Sequence, residues 1–251
     1  MIMTIAAKKG KGLDDLLQSL TPQLPDTTKK VIFSESVFNI LHDKFRQVLN
    51  EHEQKKYIAP YFFGLGITEI LTPENINRFI QTTIQHEHHP YYQATVGRVA
   101  SRLIEKSYEA GTTRFYLDLR NLKAPHYLIN NIYADYRRKL EVTIDGDVGS
   151  DFAVHSVNLN VTLHGNIGES GAQFLQESSI TLDGEIKGYN FGFGGKHLVV
   201  KSSNEKTLMD VIQIGIELPV SEVAISHVYL IKPDGTEQLV RYRNRIFPWK
   251  D

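Results

Sequence analysis

Cysteine is absent from this chain of 251 residues. Without thiols the chain has no disulfides, no thiolate nucleophile, no iron–sulfur cluster and none of the common cysteine-bearing structural zinc sites. The absence of cysteine also favours a reducing compartment, so we expect a cytoplasmic protein.

Long apolar runs and an excess of charge of one sign are missing as well. No stretch approaches the roughly 20 apolar residues that a membrane-spanning helix needs. At the start of the chain the apolar residues precede the positive charges, the reverse of a secretory signal. The 28 Lys and Arg residues are balanced by 29 Asp and Glu residues. We therefore expect no membrane partner, and nucleic-acid binding only through a local basic patch.

Residues 1–30 are rich in Gly, Pro and Lys around one short apolar pattern. We predict a flexible arm with a short helix whose apolar edge comprises Leu13, Leu16 and Leu17. Such an edge fits the groove of a protein partner. The alternative is docking of the arm onto the chain's own helical domain.

Residues 31–125 show apolar residues at spacings of three and four, which predicts a helical domain. We place helices at 36–53 and 74–87, the second with Thr72 as N-cap and Pro73 in the first turn. A third amphipathic helix ends at Gly111, and an alternating strand follows it.

A repeat dominates the next segment. The runs VTIDGDV at 142–148, VTLHGNI at 161–167 and ITLDGEI at 180–186 recur with a spacing of 19. Self-similar units of this length stack, because none can bury its apolar face alone. Residues 126–203 are therefore predicted to form a right-handed parallel β-helix with about 19 residues per coil. Residues 204–251 are predicted to add a capping helix and a β-hairpin.

The coils and their glycines resemble the Gly-rich β-helix domain at the C-terminus of the glutamate synthase large subunit and, more weakly, the bactofilins. The resemblance covers residues 140–201. In the synthase family the domain is a structural spacer, and bactofilin coils polymerise. Neither the glutaminase activity nor the cluster of the synthase can be transferred to a chain without cysteine.

Acidic side chains line one edge of the predicted coils. With alternating orientation, one outward row comprises Asp145, His164 and Asp183, and a neighbouring row comprises Asp147, Asn166 and Glu185. Carboxylates stacked at about 4.8 Å repel each other, and a divalent cation would relieve that repulsion. The alternative is an ordinary solvated row without any cofactor.

Histidines offer a second metal hypothesis. His86, His88 and His89 are the densest group of imidazoles, the commonest protein ligands of zinc and copper. Their spacing argues against a shared ion, because positions i, i+2 and i+3 of a helix do not all converge.

A basic and aromatic segment near the C-terminus gives a nucleic-acid alternative. Arg241, Arg243, Arg245 and Trp249 combine cations with a stacking ring, as single-stranded nucleic-acid surfaces do. The competing interpretation is a hairpin whose arginines pair with local acids.

These features predict an α+β protein with a mainly helical N-terminal half packed on a short, capped β-solenoid. The leading hypothesis is a non-enzymatic assembly or protein-interaction module that binds a protein partner or forms a homo-oligomer. The alternatives are a metal-dependent enzyme or metal-binding protein, and a nucleic-acid binder.

Overall fold

The structure is a computed structural model that describes residues 35–55, 66–188, 190–217, 225–242 and 245–246. All of them belong to one compact unit, Val31–Asp251. The predicted partner helix with Leu13, Leu16 and Leu17 lies outside the described residues.

Helices form the first half of the described chain. They are α1 (Glu35–Lys55), α2 (Pro73–Thr82), a 3-10 turn (Thr83–His86) and α3 (Tyr92–Glu109). The start of α2 agrees with the prediction, because the Thr72 hydroxyl accepts the backbone N–H of Asn75 at 3.3 Å. The second predicted helix ends early, since its last turn has the tighter 3-10 form.

Aromatic rings hold the helices together. Phe45 of α1 contacts Phe79 of α2 and Tyr92 of α3 edge to face, with ring centroids 6.2 and 6.4 Å apart. All three rings are fully buried. The Tyr92 hydroxyl meets the hydroxyl of Thr83 at 3.1 Å, so the polar end of this buried ring is satisfied.

Within the described residues, eight strands form one sheet in sequence order. They are β1 (Arg114–Asp118), β2 (Leu140–Asp145), β3 (Leu159–His164), β4 (Ser179–Leu182), β5 (Leu198–Ser202), β6 (Ile225–Ile231), β7 (Glu237–Tyr242) and β8 (Arg245–Ile246). Strands β1 to β6 pair in parallel, and β7 and β8 pair antiparallel. The fold is therefore a mixed α/β fold with a mostly parallel sheet.

The register confirms the stacking predicted from the repeat. Val142 pairs with Val161, Val161 with Ile180 and Ile180 with Val200, always between parallel strands. These four side chains are buried. Alternate residues along each strand face outward, as a strand with one buried face requires.

Two further sets of parallel bridges lie outside the named strands. Val148, Ile167 and Ile186 pair in succession on one side, and Val157, Gln176 and Lys196 pair in succession on another. Equivalent residues of successive repeats thus meet at three places along the chain. The apolar core runs from Leu41 to Val228 and is continuous across the predicted domain boundaries at 125/126 and 203/204.

The segments between these bridges contain residues in the left-handed backbone conformation, which the sequence does not predict. Residues 151, 153 and 155 have φ values of 55° to 58°, and residues 170, 172 and 174 have φ values of 54° to 59°. None of the six is glycine. The backbone N–H of Ala172 donates to Phe152 O at 2.7 Å, and that of His155 donates to Gln173 O at 2.9 Å. Hydrogen bonds between neighbouring repeats thus hold a conformation that L-residues rarely adopt.

Helix α2 covers the free edge of β1. The backbone N–H of Asp118 donates to Asn77 Oδ1 at 2.9 Å, and the Gln81 side-chain amide donates to Asp118 O. Two side-chain amides thus bind the backbone N–H and C=O of Asp118, groups at the end of this edge that could otherwise pair with another strand.

The capping helix does not end the sheet at the other side, and this part of the prediction needs correction. Helix α4 (Glu205–Glu217) begins with Asn204 as N-cap, and Leu208 and Val211 are buried. It is also the crossover between β5 and β6, because the outer edge of β5 pairs with β6. Its Thr207 hydroxyl donates to Gly184 O at 2.5 Å and covers that corner of the repeat.

The predicted hairpin is present as β6 and β7. Its turn is closed by Lys232 N–H donating to Thr236 O at 2.9 Å, and Asp234 Oδ1 accepts the Thr236 N–H. The hairpin continues the sheet instead of standing apart from it. Among the described residues, no helix combines the length and apolarity that crossing a bilayer demands.

Candidate functional site

Both acids of the first outward row have a hydrogen-bond partner. The Tyr116 hydroxyl donates to Asp145 Oδ2 at 2.6 Å, and His164 Nδ1 lies 2.5 Å from Asp183 Oδ2. The hydrogen bond to Asp145, together with the charge of that carboxylate, raises the pKa of the Tyr116 phenol. The His164 imidazole therefore lies between the two acids of the row, and the phenol of Tyr116 binds the first of them from the neighbouring strand.

The second row is linked in the same way. Asn166 donates its backbone and side-chain N–H groups to Asp147 Oδ1 at 2.8 and 2.9 Å, and its Oδ1 accepts the Glu185 N–H at 2.8 Å. Lys206 contacts Glu185 at 2.8 Å and lowers the pKa of that carboxyl. In the described part of the chain, no three His, Asp or Glu side chains are grouped to hold a metal ion. The cation site stays a prediction, but repulsion within the rows does not require it.

The three clustered histidines have separate surroundings. His86 lies against Phe45, with ring centroids 5.6 Å apart, and burial lowers its pKa. His88 is exposed, and His89 accepts the N–H of Tyr91 on its Nδ1 at 3.3 Å. His86 thus contacts the Phe45 ring, while His89 binds the backbone of Tyr91.

Arg241 is not available to a nucleic acid. Its side chain is only 4% exposed, and its guanidinium donates to Ile212 O of α4 at 3.3 Å. Burial lowers its pKa. Arg243 and Trp249 lie outside the described residues, and Arg245 is described only as part of β8.

An open groove of about 450 Å³ lies where the segment after β1 meets the repeats. Its floor is the backbone at Gly149 and Gly168. A Cβ at Gly168 would lie 2.6 Å from the carbonyl carbon of Gly149, and a Cβ at Gly149 would lie 2.8 Å from Ala124 O. Close stacking of successive backbones therefore excludes side chains from the floor.

Polar side chains surround this floor. Asp147 and Asn166 line it, as do Ser150 and Glu169. His126 and Lys187 complete the polar lining. No hydrogen bond or ion pair with another described residue engages the exposed side chains of Glu169 and Lys187, which leaves a carboxylate and an ammonium accessible at the groove.

His126 is held in one orientation. Its backbone N–H donates to Gln93 O of α3 at 3.0 Å, and its Nδ1 accepts the Ser150 N–H at 2.8 Å. The neutral ring therefore carries its proton on Nε2. Burial lowers the pKa of His126 below its ordinary value of 6.5, so the neutral form predominates at neutral pH.

A partly buried acid lies beside this histidine. Burial raises the pKa of Asp151, against the opposing effects of His126 and Arg98 and with a further contribution from Glu169. Arg98 of α3 stacks on the ring of Tyr127, with its Cζ 4.2 Å from the centroid. The junction of α3 with the repeats thus combines an arginine, a neutral histidine and an acid whose ionisation is disfavoured.

The second acidic row predicted from the sequence contributes Asp147 and Asn166 to this groove, but its other residues were not predicted from the sequence. A usable signal was present, because Gly149 and Gly168 each directly follow a copy of the seven-residue repeat. A glycine kept at the same position of stacked units indicates close backbone approach, and therefore a floor without side chains.

A second exposed feature is the loop just before β2. Tyr133 and Tyr136 are 67% and 75% exposed, the highest values among the large apolar side chains of the described residues. The loop is fixed by Tyr108 of α3, whose hydroxyl donates to Arg138 O at 2.5 Å and accepts the Asp135 N–H at 2.7 Å. Exposed Arg137 lies in the same loop.

In comparisons with protein-family models, curated proteins and solved structures, the chain matches none.

Proposed function

We propose that the protein is a non-enzymatic protein-interaction module built on a short right-handed parallel β-helix of about 19 residues per coil. Three sets of parallel pairs support the coil, because strands β2 to β5 and both sets of bridges join equivalent residues of successive repeats. The right hand follows from the strong preference of parallel crossovers. The lack of cysteine supports a cytoplasmic location.

Both sheet ends argue against end-to-end polymerisation of the bactofilin kind. Asn77 and Gln81 occupy hydrogen-bonding groups of β1 at one end. At the other end β6 and β7 turn the sheet into an antiparallel hairpin. A partner would therefore bind a lateral surface and not extend the stack.

The loop with Tyr133 and Tyr136 is the lateral surface that we assign to the partner. The observation that carries the proposal is that the two most exposed Tyr, Phe or Trp side chains of the described residues lie on a loop held by buried Tyr108. Tyrosine and arginine are enriched where proteins bind each other, and a preformed loop loses little conformational entropy on binding. Exposed Arg137 and Lys139 favour a protein partner with acidic side chains around an apolar contact.

Crosslinking followed by direct affinity measurement tests the surface. A photoreactive phenylalanine at position 136 is expected to capture one acidic protein from the cytoplasm of the source cell. The purified partner should then bind the unmodified chain, and the Tyr133→Ser/Tyr136→Ser variant should lose at least tenfold in affinity. Tyr116→Ser, a matched change of another exposed tyrosine, should bind normally. Equal affinities of all three proteins, or nuclease-sensitive capture, would refute a protein-binding role for this loop.

The coil itself is tested by insertion of one repeat. Duplicating residues 160–178 directly after Ser178 adds 19 residues, which a solenoid accommodates as one extra coil. We expect cooperative unfolding and increased β-sheet circular dichroism. The control carries the same 19 residues in scrambled order and should fold poorly. If both insertions behave alike, the segment is a tolerant loop and the β-helix assignment is wrong.

A further inference from the structure

We propose that the groove between His126 and Lys187 binds a short, uncharged oligosaccharide. The juxtaposition that points to it is a floor of bare glycine backbone between carboxylate, amide, imidazole and ammonium groups. This site is separate from the tyrosine loop, so the two proposals can fail independently.

The shape of the groove selects a chain-like ligand. Ala124, Gly149, Gly168 and Lys187 belong to successive levels of the stack, because Gly149 N–H donates to Pro125 O, Gly168 N–H to Val148 O and Lys187 N–H to Ile167 O. With a strand spacing of about 4.8 Å, three steps give a groove of about 14 Å. That length suits two or three linked sugar rings better than a single small metabolite.

Most side chains of the lining are polar. Val148, one of the few apolar residues of the lining, is buried, and no Phe, Tyr or Trp side chain contributes to it. A ligand must therefore exchange its hydrogen bonds with water for hydrogen bonds to the walls, or binding would leave polar groups unsatisfied.

The charges disfavour a strongly anionic ligand. Asp147 and Glu169 contribute two carboxylates and Lys187 one ammonium, while neutral His126 adds none. Sugar hydroxyl groups both donate and accept, so the same ligand can donate to Glu169 and accept from Lys187 without a net charge of its own.

His126 adds a directed donor. Because Ser150 N–H already occupies Nδ1, the proton on Nε2 is the one that the neutral ring can offer to a ligand oxygen. Gly97 of α3 lets the backbone of His126 approach closely, since a Cβ on residue 97 would lie 1.8 Å from His126 O. The donor is thus positioned before the ligand arrives, which lowers the entropic cost of binding.

The test uses the full chain with three neutral trisaccharides, maltotriose, cellotriose and N-acetylchitotriose. Saturation-transfer NMR screens for contact, and calorimetry at pH 7 measures affinity. We expect at least one trisaccharide to bind, and Glu169→Gln to weaken its binding about tenfold through loss of a hydrogen bond to a charged acceptor. Glu177→Gln makes the same change on an exposed residue outside the groove and should leave binding unchanged.

Folding is followed in parallel. Glu169 is exposed and its carboxylate makes no hydrogen bond within the described part of the chain, so Glu169→Gln should melt at the same temperature as the unmodified protein. The proposal is overturned if none of the trisaccharides binds, or if Glu169→Gln and Glu177→Gln bind equally well. Preferential binding of the zwitterionic dipeptide glycylglycine would overturn the assignment to carbohydrate.

Discussion

The helical half and the repeats bury their apolar side chains and backbone in different ways. In the helices, backbone hydrogen bonds stay within each element, and large rings such as Phe45, Phe79 and Tyr92 fill the space between elements. In the repeats, the backbone of one unit bonds to that of the next, and aliphatic residues of equivalent positions stack. The helices therefore depend on side-chain volume, whereas the repeats depend on how closely two backbones can approach.

The largest expected loss of stability comes from a substitution that prevents two backbones from approaching closely. At Gly165 a Cβ would lie 2.2 Å from Gly146 O, a backbone atom that cannot rotate away. We expect Gly165→Ala to destabilise the protein by more than about 4 kcal/mol, in the range of severe core disruption. Gly111→Ala is the control at the end of α3, where the glycine has a φ of 116° but open space. It should cost only about 1–2 kcal/mol for the strained conformation.

Urea unfolding of both variants measures this difference. Similar costs for Gly165→Ala and Gly111→Ala would mean that the repeats are less tightly stacked than the contacts at Gly165 indicate. The repeats would then not depend on close backbone approach more than the helices do.

The second effect concerns the place where the two regions meet. Asn77→Ala removes the acceptor of the Asp118 N–H at the partly buried edge of β1. Leaving that donor unsatisfied should cost about 1–3 kcal/mol. The exposed edge should also promote aggregation at raised temperature. Asn39→Ala, an exposed asparagine on α1, serves as control and should change neither property.

Chemical denaturation and light scattering separate the two consequences. If Asn77→Ala unfolds like Asn39→Ala and stays monodisperse, the side-chain amides of α2 do not protect the sheet edge. The β1 edge of the sheet would then be free to pair with another chain, and it would no longer argue against polymerisation.

The sequence predicts what depends on periodicity and misses what depends on stacking. The spacing of 19 is sufficient to pair Val142 with Val161, because apolar alternation fixes which residues face inward. It does not show that α4 lies between two parallel strands, since a helix pattern is the same for a cap and a crossover. The groove was missed for a related reason: His126, Ser150 and Glu169 come from three levels of the stack, and no local pattern joins them.

The left-handed segments illustrate another limit. Ala153, Ala172 and Phe174 carry φ values of 54° to 56° without being glycine, and none has a local sequence signature for that conformation. Hydrogen bonds to neighbouring repeats impose it, as between His155 N–H and Gln173 O. Tertiary pairing thus overrides the intrinsic preference of these residues.

A third, smaller effect tests that imposed strain. Ser170 has a φ of 59°, so Ser170→Gly should relieve the left-handed conformation and leave a net gain of up to about 1 kcal/mol. Gln173→Gly lies in the same segment without a positive φ and should destabilise by about 0.5–1 kcal/mol. Opposite signs in thermal and urea unfolding are the expected result. Destabilisation by both glycines would indicate that Ser170 carries no strain.

The smallest expected effect is on the pH dependence of stability. The pKa of His126 is lowered in the folded chain, chiefly by burial, and that of His42 is lowered for the same main reason. Between each folded pKa and 6.5 the unfolded chain binds more protons, so these groups make stability rise with pH and fall on acidification below 6.5. Asp151 has a raised pKa and acts in the opposite direction above 3.8, because its folded form holds the proton longer.

His126→Gln distinguishes the contribution of His126 to this pH dependence from that of His42 in the helical half. Glutamine can keep an acceptor near the Ser150 N–H but does not titrate, so the slope of stability against pH just below 6.5 should become shallower. His42→Gln removes the corresponding contribution of α1, where the His42 Nε2 meets the Thr82 hydroxyl at 3.0 Å. Urea unfolding in steps from pH 7 to pH 5 measures both slopes. An unchanged slope in His126→Gln would mean that water reaches its imidazole freely, and that the ring is not held against the repeats as its hydrogen bond to Ser150 implies.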